Sequence, residues 1–302
     1  MIKLEKTEVV GWEAAIRGMR NPKNSWDRSD TVFPDDSGAA ALDRCVDCED
    51  DCTLDEIYEC CIGPNDHKLM MDLASGGPVH AKYRRMITVY VDITAPLYWW
   101  KEFDTYKVGT VANSCSTMHK IHDKEFTLDD FSHEHLIDGD GDEYDHSTFW
   151  LNELRAVVGK LNFAREKYLE VDKKLKDINP LFEFGKLQAE RKKYWWQMIQ
   201  LLPSSYNQKR TIMLNYEVLA GIYPMRKNHK LDEWHVFCDW IESLPYSEII
   251  IGTDQAFQYD EEEVAKFVTK VLEKDPNAFD RVYPVSAKEL REALARSEKK
   301  EE

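Results

Sequence analysis

The chain lacks any long hydrophobic run. Its longest apolar stretch, residues 93–100, falls far short of the roughly 20 residues that a membrane-spanning helix needs. It is also short of positive charge. Against 56 Asp and Glu it carries only 40 Lys and Arg, a formal net charge of −16. That balance excludes broad nucleic-acid binding, which depends on neutralising phosphates, though not a small anion in a locally basic pocket. The opening residues, MIKLEKTEVVGWEAAIRGMR, show no basic start, apolar core and small-residue cleavage site of the kind that directs secretion. Seven cysteines, an odd number in a chain of 302 residues, do not form the framework of a secreted disulfide scaffold. The expectation is a cytoplasmic protein. No internal repeat is visible.

What is present is a globular composition. Hydrophobic residues make up 43% and the aromatics number 9 Trp, 14 Tyr and 12 Phe, enough to bury a sizeable core. Residues 8–20 carry Val9, Val10, Trp12, Ala15, Ile16 and Met19 at mixed helical spacing, and residues 67–75 read as helix. Residues 87–100 (ITVYVDITAPLYWW) start with β-branched alternation, so a strand runs through Pro96 into a bulky apolar element. Beyond residue 150 helices dominate, at 151–178, 181–202, 208–223, 231–243, 260–274 and 286–299, with Pro224 ending or kinking the third. The fold class expected is α/β (α+β): a mixed sheet plus long helices, with a helix-rich C-terminal half.

Two acidic stretches interrupt this pattern, a cysteine-rich excursion at about 35–66 and a loop at about 123–147. In the first, Cys45, Cys48, Cys52 and Cys60, with Cys61 and His67 near by, offer the soft ligands of a structural zinc site. Adjacent cysteines seldom share one metal and a second C-x-x-C is missing, so free thiols are the competing account. In the second, Asp138, Asp140 and Asp142 space carboxylates like the start of a calcium loop. Glu143 stands where that loop needs glycine and Phe149 where it needs glutamate, so a solvated acidic loop is the better account. His133 and His135 are read the same way.

Two separated stretches carry more. Residues 95–120 (APLYWWKEFDTYKVGTVANSCSTMHK) and 201–237 (LLPSSYNQKRTIMLNYEVLAGIYPMRKNHKLDEWHVF) together resemble the flavin-dependent thymidylate synthases. In that family a strand ending in Ala-Pro leads to Gln-Trp-x-Arg-His-Arg and then Asn-Glu-x-Ser-x-Arg-Tyr. Leu-Pro, an Asn and Leu-Arg follow much later. Ala95-Pro96 matches, Glu102-Phe103 stands at Gln-Trp, and Thr105-Tyr106-Lys107 replaces Arg-His-Arg. Asn113 and Ser116 match after one extra residue, while Met118-His119 replaces Arg-Tyr. Leu202-Pro203 and Asn215 match in spacing, and Met225-Arg226 falls at Leu-Arg. Upstream, Gly77-Pro78-Val79-His80 echoes a short turn of the family.

The resemblance implies a divergent, phage-type member, a single domain over 1–302 and a homotetramer whose sites lie between subunits. It implies binding of a dUMP-like pyrimidine nucleotide and FAD, with NADPH and methylenetetrahydrofolate as co-substrates and methylation of the pyrimidine at C5. Arg226 would polarise the base as the catalytic residue, Glu102 and Ser116 would contact the nucleotide, and Tyr106, Lys107, Asn113 and Asn215 the flavin. The departures pull the other way. Lys107 is a point charge without the bidentate fork of arginine, and Met118 and Ile199 stand at positions where the family has arginine. A catalytically degenerate nucleotide- or partner-binding protein on the same scaffold is the alternative.

Overall fold

The computed structural model describes residues 2–33, 62–137, 149–177 and 183–252. The chain divides into two units after Ile251, and every element named below belongs to the first. Strands β1 (Lys3–Val10), β2 (Thr88–Pro96), β3 (Val111–Ser114) and β4 (Asn207–Asn215) form one sheet. Their spatial order is β1-β2-β4-β3, with every neighbouring pair antiparallel. The α-helices among the described residues are α1 (Trp12–Arg20), α2 (Pro64–Ser75), α3 (Leu97–Phe103), α4 (Thr117–Lys120), α5 (Phe149–Asp177), α6 (Phe184–Leu201), α7 (Tyr216–Arg226), α8 (Asp232–Glu242) and α9 (Glu248–Ile251), with four short 3-10 turns between them. The mixed helix-and-sheet class expected from the sequence is what is found. No described helix is long and apolar enough to cross a membrane.

The sheet is two-faced because its central strands alternate. Val89, Val91, Ile93 and Ala95 of β2 and Ile212 and Leu214 of β4 are buried on one side. There they meet Trp12 and Ile16 of α1, Trp99 and Phe103 of α3, Leu219 and Ile222 of α7, and Trp234 and Phe237 of α8 in one core. The opposite face carries polar side chains: Thr211 donates to Asp92 (2.6 Å), and Lys209 reaches Asp92 at 3.1 Å and Glu5 at 3.5 Å. Tyr90 and Val111 stand exposed there. A second core forms where α5 and α6 pack as a hairpin. Leu154, Val158, Leu161 and Met198 close on Ile121, Phe126 and Phe131 of the preceding loop.

Two expectations change. Residues 208–223 are not one helix. β4 runs to Asn215 and α7 begins at Tyr216, because nine residues of β4 pair with β2 from Pro96↔Asn207 to Thr88↔Asn215. Pro224, expected to end or kink the helix, lies inside α7 as the third residue from its end. Residues 8–20 likewise split, with Val9 and Val10 closing β1 and α1 starting at Trp12. Gly11 makes the break: its φ is +98°, and a Cβ there would lie 2.3 Å from the Met86 carbonyl oxygen.

Candidate functional site

β2 passes straight into α3 at Pro96, whose fixed φ and missing N–H suit the start of a helix. One turn apart on α3, Tyr98 and Glu102 face α8. Tyr106 follows on the loop that returns to β3. From the other side α7 brings Arg226 at its last residue, and a short turn containing His229 leads into α8 and Trp234. Residues more than a hundred positions apart in sequence therefore meet.

Their contacts are specific. Arg226 donates from Nε to the Tyr106 hydroxyl (2.8 Å) and from Nη1 to Glu102 Oε2 (2.5 Å). Its guanidinium lies 4.5 Å from the centre of the Trp234 ring and 5.4 Å from that of Tyr106. The Trp234 indole donates to the same Glu102 Oε2 at 3.0 Å, and His229 Nε2 lies 3.3 Å from it. The other nitrogen of His229, Nδ1, accepts the Leu231 backbone N–H at 3.1 Å. Trp234 is fully buried, whereas 15% of the Arg226 side chain and 35% of Glu102 remain accessible. The pair is thus dry on one flank and open on the other, where screening by water is strongest.

Deeper along the same seam, Tyr98 hydrogen-bonds to the buried Glu233 and to Ser132 (3.2 Å), which in turn donates to Glu134 (2.7 Å). Burial, and next the Glu233 carboxylate, push the Tyr98 phenol up to about 12. Tyr98 therefore stays protonated at neutral pH.

Of the residues picked out in the sequence, Glu102, Tyr106 and Arg226 come together in this cluster. Asn215 is the N-cap of α7, its Oδ1 accepting from Val218 N at 3.0 Å. It packs beneath Gly109 on the Tyr106 loop, where φ is +77° and a Cβ would sit 3.2 Å from Asn215 Nδ2. Lys107 is exposed on that loop, with no ion pair among the described residues. Asn113 is exposed on the edge strand β3, opposite Thr211. Ser116 caps α4 by accepting from His119 N at 3.2 Å. Cys115 N bonds to Lys209 O, and the six residue steps along the strand from Lys209 to Asn215 span about 20 Å. No described contact joins Asn113 or Ser116 to the Arg226 cluster.

The cysteines Cys45, Cys48, Cys52 and Cys60 lie outside the described residues, as do Cys61 and the Asp138–Asp142 run. His67 bonds to Glu248 (2.6 Å), and among the described residues no group of three or more His, Cys, Asp or Glu is placed to hold a metal. His133 takes the Phe131 carbonyl as its partner and His135 lies 3.1 Å from Asp232. Trp234 and His229 escaped the sequence reading. Their only signal there was position, just beyond the Met225-Arg226 match.

No family model matches the chain, and no curated protein does. Solved structures do. Thymidylate Synthase X from Helicobacter pylori, crystallised with FAD and dUMP, superimposes with a TM-score of 0.50 at 13% identity, covering 84% of this chain and 98% of that one. The fold matches that of the flavin-dependent thymidylate synthases. A UMP/dUMP methylase, PolB from Streptomyces cacaoi, bound with 5-Br dUMP, gives a TM-score of 0.43 at 13% identity over 80% of this chain and 88% of that one. Within this fold the Arg226 cluster joins residues from the two stretches that carry the sequence resemblance.

Proposed function

We propose that this chain is a divergent flavin-dependent thymidylate synthase-like protein that binds a dUMP-like pyrimidine nucleotide and FAD and methylates the pyrimidine at C5. The observation that supports this reading best is the convergence of Glu102, Tyr106 and Arg226. They come from both resembling stretches and build one partly open, aromatic-walled edge.

On that edge Arg226 donates to a ring carbonyl and stabilises negative charge as it develops on the pyrimidine. Glu102 fixes the guanidinium and leaves Oε1 without a partner among the described residues, an acceptor for a ring N–H. The wall of Trp234 and Tyr106 keeps water from one side of the pair. Toward a flavin the same edge offers the Lys107 ammonium, without an ion pair among the described residues, for a phosphate and the Tyr106 O–H and Asn215 Nδ2 for polar ring atoms. The Asn113 amide, apart from the cluster on β3, would serve a flavin from the far side, as Ser116 does the nucleotide. When bound, the flavin supplies the redox step between NADPH and the methylene carried by methylenetetrahydrofolate. Ser116 serves the nucleotide from the far end of β4, which suits a site shared between the subunits of a homotetramer.

Calorimetric titration with dUMP tests the assignment. Replacing Arg226 with Lys keeps the charge and loses the planar fork, so affinity falls by about 1–3 kcal/mol. A parent protein that binds no pyrimidine nucleotide, or an Arg226→Lys variant that binds as well as the parent, overturns the site. One observation favours a second reading, a scaffold kept for binding alone: like Arg20 with Asp66 and Arg84 with Glu217, Arg226 is already paired with a carboxylate. Purified protein that is colourless and takes up no added FAD decides for that reading.

A further inference from the structure

We infer that Trp234 is a positioning residue: it sets the guanidinium of Arg226 by holding Glu102 from the α8 side, with His229 as the second contact. The inference rests on the nucleotide-site reading above and adds to it the part that orients the arginine.

Three nitrogens converge on Glu102 Oε2. That single oxygen lies within 2.5 Å of Arg226 Nη1, 3.0 Å of Trp234 Nε1 and 3.3 Å of His229 Nε2. A carboxylate on a short helix has two free side-chain torsions beyond Cβ and would swing toward solvent, because its other oxygen is uncommitted. The indole stops this. Trp234 is wholly buried among Trp99, Phe103 and Phe237, at ring-centre distances of 4.8, 6.4 and 5.6 Å, so its N–H points in one direction only. The same ring lies 4.5 Å beneath the Arg226 guanidinium. One rigid side chain therefore fixes the acceptor through its edge and the cation through its face.

His229 works by its tautomer. Nδ1 accepts the Leu231 N–H at 3.1 Å, so it carries no proton, and in the neutral ring the hydrogen is on Nε2, which faces Glu102. The backbone at the start of α8 thus determines which atom the imidazole presents to the carboxylate. The 3.3 Å contact is longer than the indole bond, which ranks His229 second.

The test separates positioning from packing. Trp234→Phe keeps a ring under the guanidinium and removes the N–H. The readouts are the Arg226 Nε–H resonance, identified by its loss in Arg226→Lys, and dUMP affinity, both measured where unfolding curves show the variant folded. The expected result is a shifted or exchange-broadened Arg226 resonance and binding weaker by about tenfold. Should Trp234→Phe not fold, two changes at His229 decide. His229→Asn keeps an acceptor for the Leu231 N–H but not the donor to Glu102, whereas His229→Gln restores a donor. Asn should disturb the resonance and Gln should return it toward the parent. An unmoved Arg226 resonance in folded Trp234→Phe, or equal spectra for His229→Asn and His229→Gln, overturns the inference. Because the resonance needs no ligand, a parent that binds no dUMP removes the nucleotide reading and leaves the positioning question answered.

Discussion

Replacing Asp66 with Asn should destabilise the fold more than replacing the partly exposed Arg226 or Glu102 does. Asp66 is wholly buried, and its Oδ1 accepts from Arg20 Nε at 2.6 Å. Its Oδ2 accepts from the hydroxyls of Ser29 (2.6 Å) and Thr31 (2.7 Å) and from the backbone N–H groups of Asp30 and Thr31, both at 3.1 Å. All of these are donors, and an amide has one acceptor oxygen where the carboxylate has two. The Arg20 side chain, 5% exposed, would be left with the Ser25 carbonyl as its remaining partner. Breaking a buried ion pair in this way costs about 3–5 kcal/mol, because the surviving charge stays desolvated. In a unit of this size that lowers the thermal midpoint by roughly 6–20 °C. Urea titration at neutral pH measures it, and a loss below about 1 kcal/mol would refute the reasoning. Adding Arg20→Met should recover part of the loss, since it removes the stranded charge. The pH dependence has a definite sign. Burial alone would raise the Asp66 pKa, but the bonds from Ser29, Thr31 and Arg20 outweigh it and hold the carboxyl below its ordinary value. A depressed folded value gives stability that is complete above the unfolded value of about 3.9 and is lost as pH falls through the folded one. The parent should therefore lose stability steeply below about pH 4, and Asp66→Asn should lose less of it there.

Two further outcomes are expected. Asn215→Ala removes the α7 cap and should cost about 1 kcal/mol in urea titration, while Asn215→Asp should keep most of it; an Ala variant as stable as the parent would free Asn215 from its structural role. Light scattering should find a particle four times the 35.4 kDa chain, covering the exposed Tyr90 and Val111 face of the sheet; a monodisperse monomer at micromolar concentration would contradict the shared-site arrangement.

The parts of the fold that were legible are those where local pattern and tertiary context agree. Val89, Val91, Ile93 and Ala95 alternate within a stretch that ends at Pro96, and that stretch is β2, a paired strand with one buried face. Leu154, Val158 and Leu161 recur at helical spacing, and they line one side of α5. β4 was illegible for a physical reason. Ile212 and Leu214 are two apart, the period of a strand and not of a helix, but the polar run at residues 207–211 before them hides the alternation, and it is the nine-residue ladder against β2 that shows the strand. Gly11 was the one available signal at the β1–α1 break, since neither residue beside it resists helix. Arg226 and Glu102 could be placed only through order and spacing shared with a family; periodicity says nothing about an ion pair 124 residues apart in sequence. Nothing in the sequence singled out Trp234. It is core, and its N–H is the feature that sequence does not display, because direction depends on how Trp99 and Phe237 pack around the ring.

The pairing of Arg226 with Glu102 also constrains what each end of a ligand can meet. A guanidinium with a carboxylate at 2.5 Å has little net charge to offer, so a phosphate arriving there would face Glu102 as well as Arg226. A neutral ring that carries a carbonyl beside an N–H gains from both, one as acceptor and one as donor, with no charge to desolvate. On the nucleotide-site reading proposed above, the cluster suits a base better than a phosphate. The anionic end must be held by cations that carry no carboxylate partner, and on the adjacent loop Lys107 is such a cation. Removing it should weaken a nucleotide or flavin phosphate with a strong dependence on salt, because the contact is exposed and screened within about 10 Å at 0.1 M ionic strength. Changes at Arg226 should depend on salt far less, since there the ligand is bound by short directional bonds to a pair that is already neutral. Titration of dUMP and of the free nucleoside at two ionic strengths, in Arg226→Lys and Lys107→Ala, separates the two ends. If Arg226→Lys weakens the nucleotide but leaves the nucleoside unchanged, Arg226 is the phosphate ligand and the base assignment fails.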